Sequence, residues 1–336
     1  VIGLVEDLIH YNWKSWFPDI KRVKKIGFVK LASSSVINRP LSFLIFDIEN
    51  GYPFACLKII RNLDRRHFLE TEFKNLKYIY KTVSSEYVLS AIPRPIWIGE
   101  IENHIILLET ALQGKTLWNI GVKKRKNFNK TIDAIIDWMV PFHRETTVYV
   151  GKISHYYIEK YLKSELDSFY ANFNKINLDY KDILLETLAQ ISQMYSGIGF
   201  PILCQHGDIS PHNILIRKKA IRIFDWEDSI QKSFAFLDIC DLLTNFLCIL
   251  NPQRISNDLF TFYILNKDTN DIFRFYFSKY CSKLNININL LSSFFPFYLI
   301  RKANRDFYKY PNKSHLAFNW INRLNIFFQY HNFEHR

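Results

Sequence analysis

The sequence predicts an α+β fold in two lobes, a small antiparallel sheet with one helix followed by a larger, mainly helical part. Three observations predict it. β-branched and aromatic runs crowd residues 27–60 and 95–109, an amphipathic period runs through 64–83, and helical periods dominate from Gln113 onward. With 48% hydrophobic residues and only 10 Gly and 11 Pro in 336 residues, the chain has the composition of a globular protein, which excludes a disordered or fibrous one.

Residues 1–26 read as an amphipathic helix and a basic connector carrying Lys21, Arg22, Lys24 and Lys25. The runs GFVKLA (27–32), LSFLIFDI (41–48) and YPFACLKII (52–60) then read as strands, the last two joined by the hairpin turn Glu49-Asn50-Gly51. The helix over 64–83 turns Arg66, Glu70, Lys74, Lys77 and Lys81 to solvent and Phe68, Leu76, Ile79 and Val83 to the core. Glu72 lies on that core face, where a carboxylate is costly unless a cation meets it. PIWIGEI (95–101) and HIILLE (104–109) form a second hairpin around Glu102-Asn103, and the boundary between a lobe over 27–112 and one over 113–336 falls near Leu112.

Helices are expected at 128–143, 155–173, 180–196 and 235–249, with one interruption at 203–226. There Asn213–Ile216 and Ile221–Phe224 flank the turn at Lys218-Lys219, and the implied register sets Asn213 opposite Phe224 and beside Asp225. An amide, a carboxylate and the preceding Asp208 thus gather at one end of a hairpin. One Asn and one Asp make an oxygen-only donor set of the kind that holds Mg²⁺ together with water and substrate phosphates. Asp208 is left to accept a proton. Taken singly, each of these residues also suits a turn or a cap.

HGDISPHN (206–213) followed by IFDWE (223–227) resembles the catalytic and metal-binding segments of the aminoglycoside phosphotransferase and choline kinase superfamily, whose members share the protein-kinase-like fold. The resemblance implies a bilobal protein-kinase-like fold, Asp208 as catalytic base, Asn213 and Asp225 as Mg²⁺ ligands, and ATP (or GTP) as phosphoryl donor. Lys58, set among apolar residues in FACLKI, and Glu72 each need a partner of opposite charge; their pairing resembles the family's phosphate-holding lysine and its helix glutamate. Glu70 competes for that role from the charged face, and a lysine that snorkels out of the core is the plainer alternative. ILLETALQGKTL (106–117) resembles the hinge whose backbone around Glu109, Ala111 and Leu112 would bind adenine. His143, Asp238 and His206 read as structural supports. Where relatives carry a glycine-bearing turn, this chain has Ala32-Ser33-Ser34-Ser35; Ser33, Ser34 and Ser35 either contact phosphate or belong to an ordinary polar loop.

A protein kinase is set aside, because Ser210 stands where such enzymes place a lysine and Asp225-Trp226-Glu227 replaces Asp-Phe-Gly with no long activation segment after it. The expected activity is phosphorylation of a hydroxyl on a small molecule such as a sugar, amino-sugar or amino-alcohol. A nucleotide-binding pseudokinase or scaffold without transferase activity is the alternative. The excess of 44 Lys+Arg over 32 Asp+Glu gives a net charge of +12, concentrated before residue 109 and after residue 228. Without a nucleic-acid-binding module this charge does not argue for nucleic acid as a partner. Arg301, Lys302, Arg305 and Lys309 recur at helical spacing and read either as a solvated face or as a grip on an anionic acceptor. No membrane span and no partner protein is indicated, and the five cysteines show no disulfide or zinc spacing, so a cytoplasmic location is expected. The chain begins on Val1 and not on Met, which leaves the start of the full protein open.

Overall fold

The computed structural model describes residues 1–31, 40–120, 125–152, 155–174, 181–195, 199–250 and 267–334. Ser33, Ser34 and Ser35 lie outside the described residues. Contacts divide the chain into two compact units, Val1–Ile120 with His212–Gln231 and Gly121–Pro211 with Lys232–Arg336. The sequence reading draws a single boundary at Leu112; the contacts instead count the hairpin after Asp208 with the first unit.

In the first unit, helix α1 (Ile2–Trp16) precedes strands β1 (Ile26–Lys30), β2 (Leu41–Asp47) and β3 (Tyr52–Ile60). Helix α2 (Arg66–Thr82), a short α3 (Glu86–Leu89), β4 (Pro95–Ile101) and β5 (His104–Thr110) follow. The five strands form one antiparallel sheet in the order β1-β2-β3-β5-β4. Both expected turns are in place. Gly51 takes φ +62, and Glu102 and Asn103 take φ 49 and 59, the left-handed pair that a tight hairpin requires.

The period of two on β3 and β5 sends alternate side chains to opposite faces. Ala55, Leu57, Ile59, Ile106 and Leu108 pack with Val5, Ile9 and Trp13, so α1 belongs to the core of this unit and is no mere appendage. Ile60, Ile105 and Leu107 pack instead with Leu69 of α2. Lys58, opposite Leu107 in the register, lies on the α2 side of the sheet. The charged stripe Arg66, Glu70, Lys74, Lys77 and Lys81 is exposed, while Glu72, Leu76, Ile79 and Val83 are buried. Strand β6 (Lys115–Thr116) and helix α4 (Leu117–Ile120) end the first stretch.

The second unit holds α5 (Arg125–Glu145), β7 (Tyr149–Lys152), α6 (His155–Ile158), a π-helical turn (Glu159–Lys163), α7 (Ser164–Asn172), α8 (Lys181–Tyr195) and β8 (Gly199–Gln205). Strands β9 (Ile214–Arg217) and β10 (Ala220–Ile223) return to the first unit, where β9 also pairs with β6. Their register sets Ile214 against Ile223 and Arg217 against Ala220, as the sequence predicts, with Lys218 at φ 58 in the turn. Strand β11 (Ile230–Phe234) leads to α9 (Leu237–Leu250), and α10 (Lys267–Leu284), α11 (Leu290–Lys309) and α12 (Ser314–Glu334) complete the chain. A three-stranded sheet β11-β8-β7 interrupts the helices, against the expectation of a single interruption at 203–226. Its strands are short, and β8 is a continuous apolar run that periodicity alone does not tell from a buried helix.

Candidate active site

In the first unit the register of β3 and β5 and the core face of α2 bring three charged side chains to one buried point. Lys58 Nζ lies 2.6 Å from Glu72 Oε1 and 3.2 Å from Glu109 Oε1. The three residues are only 8%, 1% and 3% exposed. Glu72 does more than hold the lysine, since its Oε1 also accepts the backbone N–H of Trp226 at 3.0 Å. One turn along α2, Asn75 donates to the carbonyls of Trp226 and Ser229 at 3.1 and 3.0 Å. Helix α2 thereby fixes both the lysine and the turn that follows Asp225. Asp225 itself has φ 68, a left-handed conformation that is uncommon for a residue with a side chain and is held here by the bonds on either side. Phe224 donates its N–H to the Asn213 carbonyl at 3.1 Å, which sets Asn213 beside Asp225 as the hairpin register requires.

Burial opposes the charge on Lys58, but Glu109, Glu72 and Asp225 outweigh it and lift the lysine well above its ordinary range. Burial pushes Glu72 up to about 7 against the pull of Lys58, and it raises Glu109 in the same way. The Glu109 side chain is a participant that sequence reasoning missed, having assigned only the backbone there. The strand period could have found it, because position 109 lies two residues beyond Leu107, the cross-strand partner of Lys58. Its Oε2 is buried without a hydrogen-bond partner. Just past β5, the Ala111 N–H donates to the Phe54 carbonyl at 3.1 Å and so closes onto β3.

The donor set suits the group the resemblance implies. Asn213 and Asp225 offer an amide oxygen and a carboxylate, hard oxygen ligands fit for Mg²⁺ with water and phosphate completing its shell. Among the described residues no group of three or more His, Cys, Asp or Glu side chains gathers around one point.

In the second unit, Asp208 follows β8 on a segment pinned from below. Asp238 accepts the N–H groups of His206 at 2.7 Å and Gly207 at 2.9 Å, while its own N–H donates to Gln205 Oε1 at 2.7 Å. Gly207 takes φ +83, which a side chain would strain. Behind Asp238 stands His143, 3.2 Å away and wholly buried, with its other ring nitrogen 2.7 Å from the Tyr280 hydroxyl. His143 and Asp238 thus sit beneath the segment as supports.

Asp208 is met by α11. Lys302 Nζ and Arg305 Nη1 approach its Oδ1 at 3.3 and 3.0 Å. Lys302 also reaches Asp241 at 2.8 Å, and Arg305 lies against Asp306 at 2.9 Å, whose second oxygen accepts from Trp320 Nε1 at 2.7 Å. Burial alone would raise Asp208, but Lys302, Arg305 and Lys309 outweigh it and hold the carboxyl well below the usual range. The sequence set Arg301 on the same face. Instead Arg301 pairs with Glu165, because successive residues of a helix point about 100° apart.

No family model matches the chain, and no curated protein matches it in sequence. Solved structures do match in shape. A thermostable mutant of aminoglycoside phosphotransferase APH(4)-Ia superposes with a TM-score of 0.56 at 12% identity, over 95% of this chain and 98% of that one. Choline kinase from Cryptosporidium parvum Iowa II gives 0.56 at 13% identity over 98% and 95%. The GDP and kanamycin complex of APH(2")-IIIa gives 0.54 at 14% identity over 95% and 98%. The chain has the protein-kinase-like fold of the aminoglycoside phosphotransferases and choline kinases. At these identities the likeness is one of fold, and the chemistry rests on the residues above.

Proposed function

We propose that the protein transfers the γ-phosphoryl group of ATP or GTP to a hydroxyl of a small molecule. The observation that carries this reading is the double role of Glu72, which holds Lys58 and the N–H directly after Asp225 with one carboxylate oxygen. A lysine for phosphates and a carboxylate for a metal are thereby fixed to one helix. Shape likeness to kinases solved with ADP and hygromycin B or with GDP and kanamycin supports the same reading.

In this mechanism Lys58 neutralises the nucleotide phosphates, while Asn213 and Asp225 would hold Mg²⁺, whose charge screens those phosphates when bound. Asp208 orients the acceptor hydroxyl and takes its proton. The hydroxyl oxygen then bonds to the γ-phosphorus as the bond from that phosphorus to the β-phosphate oxygen breaks, and the nucleoside diphosphate leaves. We place the reaction in the cytoplasm; among the described residues no helix is long and apolar enough to cross a membrane.

The test is a nucleotide-consumption screen over amino-sugars, choline, ethanolamine, simple sugars and anionic glycans. For the acceptor found, Asp208→Ala is expected to lower kcat by about 10²–10⁴-fold, the usual contribution of a general base. Unchanged turnover would overturn the assignment. The pseudokinase reading draws on the glycine-free run Ala32-Ser33-Ser34-Ser35. Slow Mg-ATP hydrolysis without acceptor, lost in Asp225→Ala, would count against it.

A further inference from the structure

Helix α9 supports the segment of Asp208 twice from one face. Asp238 holds the backbone, through the N–H groups of His206 and Gly207. Asp241, three residues on and therefore on the same face of the helix, acts one step further away. Its Oδ1 lies 2.8 Å from Lys302 Nζ, and Lys302 in turn reaches Asp208 Oδ1 at 3.3 Å. The Tyr298 hydroxyl and Asn245 Nδ2 donate to the same Asp241 oxygen at 2.9 and 3.2 Å, and Lys302 Nζ lies 5.6 Å from the centroid of the Trp320 ring. All of these residues belong to the second unit.

Stability alone does not account for this arrangement. Lys302 and Asp241 are only 3% and 1% exposed, and the second Asp241 oxygen is buried without a hydrogen-bond partner. Replacing a buried ion pair by well-packed apolar residues is often neutral or stabilising, so a pair kept in such a place points to a geometry that it fixes. The geometry within reach is that of the Asp208 carboxylate, which Lys302 meets from 94 residues further along the chain. Against the effect of burial, Lys302, Arg305 and Lys309 hold that carboxyl below its ordinary range, which makes it a weak base. Its value to a hydroxyl then lies in where its oxygens stand.

We infer that Lys302, itself anchored by Asp241, is the positioning residue of the proposed base and fixes the Asp208 carboxylate in the orientation that meets the acceptor hydroxyl. This rests on the assignment of Asp208 as the base of a small-molecule kinase. Lys302 acts through Asp208: the proton of the hydroxyl passes to Asp208, and Lys302 keeps its own. Arg305 meets the same Asp208 oxygen from a partly exposed position and directs its Nε and Nη2 to Asp306 instead. The buried, doubly held lysine is therefore the more rigid of the two contacts.

The test is a double-mutant cycle read by single-turnover hydrolysis of Mg-ATP, with water as acceptor, and by turnover of the hydroxyl acceptor found in the screen. Lys302→Met is expected to lower the rate by about tenfold or more in the otherwise native chain and by less than about threefold in Asp208→Ala. Affinity for AMP-PNP with Mg²⁺, read by calorimetry, should stay within about threefold, since Lys302 serves the base and not the nucleotide. A merely structural lysine would give the same loss in both backgrounds or weaken nucleotide binding alongside. Lys302→Met leaves Asp241 buried without its cation, so Asp241→Asn is the second variant and guards against a protein that fails to fold. It keeps the lysine but loosens its anchor, and is expected to lower the rate by about threefold or more with the same dependence on Asp208. A native rate in both variants, equal losses with and without Asp208, or a parallel loss of nucleotide affinity overturns the inference. Where no turnover is found, or Asp208→Ala leaves it unchanged, the kinase reading fails and the inference with it. Where Asp208→Ala abolishes turnover and both variants keep the native rate, only the role of Lys302 fails.

Discussion

The two units hold charge clusters of opposite design. In the first, one lysine is shared by two buried glutamates with Asp225 near enough to act on it. In the second, one aspartate is shared by two cations in contact and a third within electrostatic reach. Burial by itself would raise Glu72 and Glu109 in the first and Asp208 and Asp241 in the second. Glu72 and Glu109, with a single cation between them, stay raised, whereas Asp208 is driven down. Asp241, which shares Lys302 with Asp208, is raised by its burial against the pull of that lysine. Burial decides the sign at Glu72, Glu109 and Asp241, and only at Asp208 do the neighbouring cations outweigh it. The first cluster thus sets two buried glutamates against one lysine, while the second sets two cations in contact against one aspartate.

The largest expected effect comes from removing the one carboxylate that serves two purposes. Glu72→Ala leaves Lys58 with Glu109 alone and deprives the Trp226 N–H of its acceptor. Breaking a buried pair typically costs about 3–5 kcal/mol, so a large fall in Tm is expected, together with loss of Mg-nucleotide affinity. Glu70→Ala, on the exposed face of the same helix and paired only with Arg66 at its surface, is expected to leave both nearly unchanged. Equal effects of the two substitutions, read by thermal denaturation and nucleotide titration, would remove Glu72 from the site.

The first cluster was more legible in the sequence than the second, for a physical reason. Lys58 and Glu72 announce themselves because each breaks an apolar period, and a charge on a core face must be paired somewhere. The hairpin carrying Asn213 and Asp225 is legible because its turn fixes the register. Glu109 was hidden at the end of a strand already accounted for by its backbone. Lys302 and Arg305 were visible only as members of a basic helix face, since nothing local tells a solvated face from one that meets an aspartate on a distant segment. The same holds for α1, whose amphipathic period is plain while the sheet face it covers is not, and for β7 and β11, too short to carry a period, and β8, a nearly unbroken apolar run.

A smaller effect tests the cation count around Asp208. Because its carboxyl is held well below the usual range, Asp208 stays ionised as pH falls, and the wild-type acid limb of kcat/KM is set by another group. Removing one cation restores part of the rise that burial imposes. An opposite charge in contact typically shifts a carboxyl by 1–3 units, so Arg305→Gln should raise the pKa of Asp208 by about that much. The linkage has a matching sign. A depressed carboxyl contributes stability above its unfolded value near 3.8 that is lost as pH falls through the folded value, and Arg305→Gln should lose part of it at neutral pH. Direct NMR titration of the Asp208 carboxyl checks this, and a carboxyl that titrates no higher in the variant would mean that Arg305 does not act on it.

The smallest effect, and the one most specific to the comparison, belongs to Glu109. A carboxyl raised on folding favours the folded state at low pH, and this contribution is lost as pH rises from the unfolded value near 4.5 toward the folded one, about 7 for Glu72. Glu72 and Glu109 should therefore cost the protein stability between pH 5 and pH 8, chiefly because their charges are buried. Glu109→Met removes one of the two charges and the orphaned Oε2 while keeping an unbranched side chain of similar length, and leaves Lys58 paired with Glu72. Replacing part of a buried ionic group by a well-packed apolar one is often neutral or stabilising. The variant should thus match or exceed the wild type by about 1 kcal/mol at pH 8 and lose that advantage at pH 5, whereas Glu72→Ala is destabilised at both. A Glu109→Met protein destabilised at pH 8 as much as Glu72→Ala would show that both carboxylates are needed by Lys58.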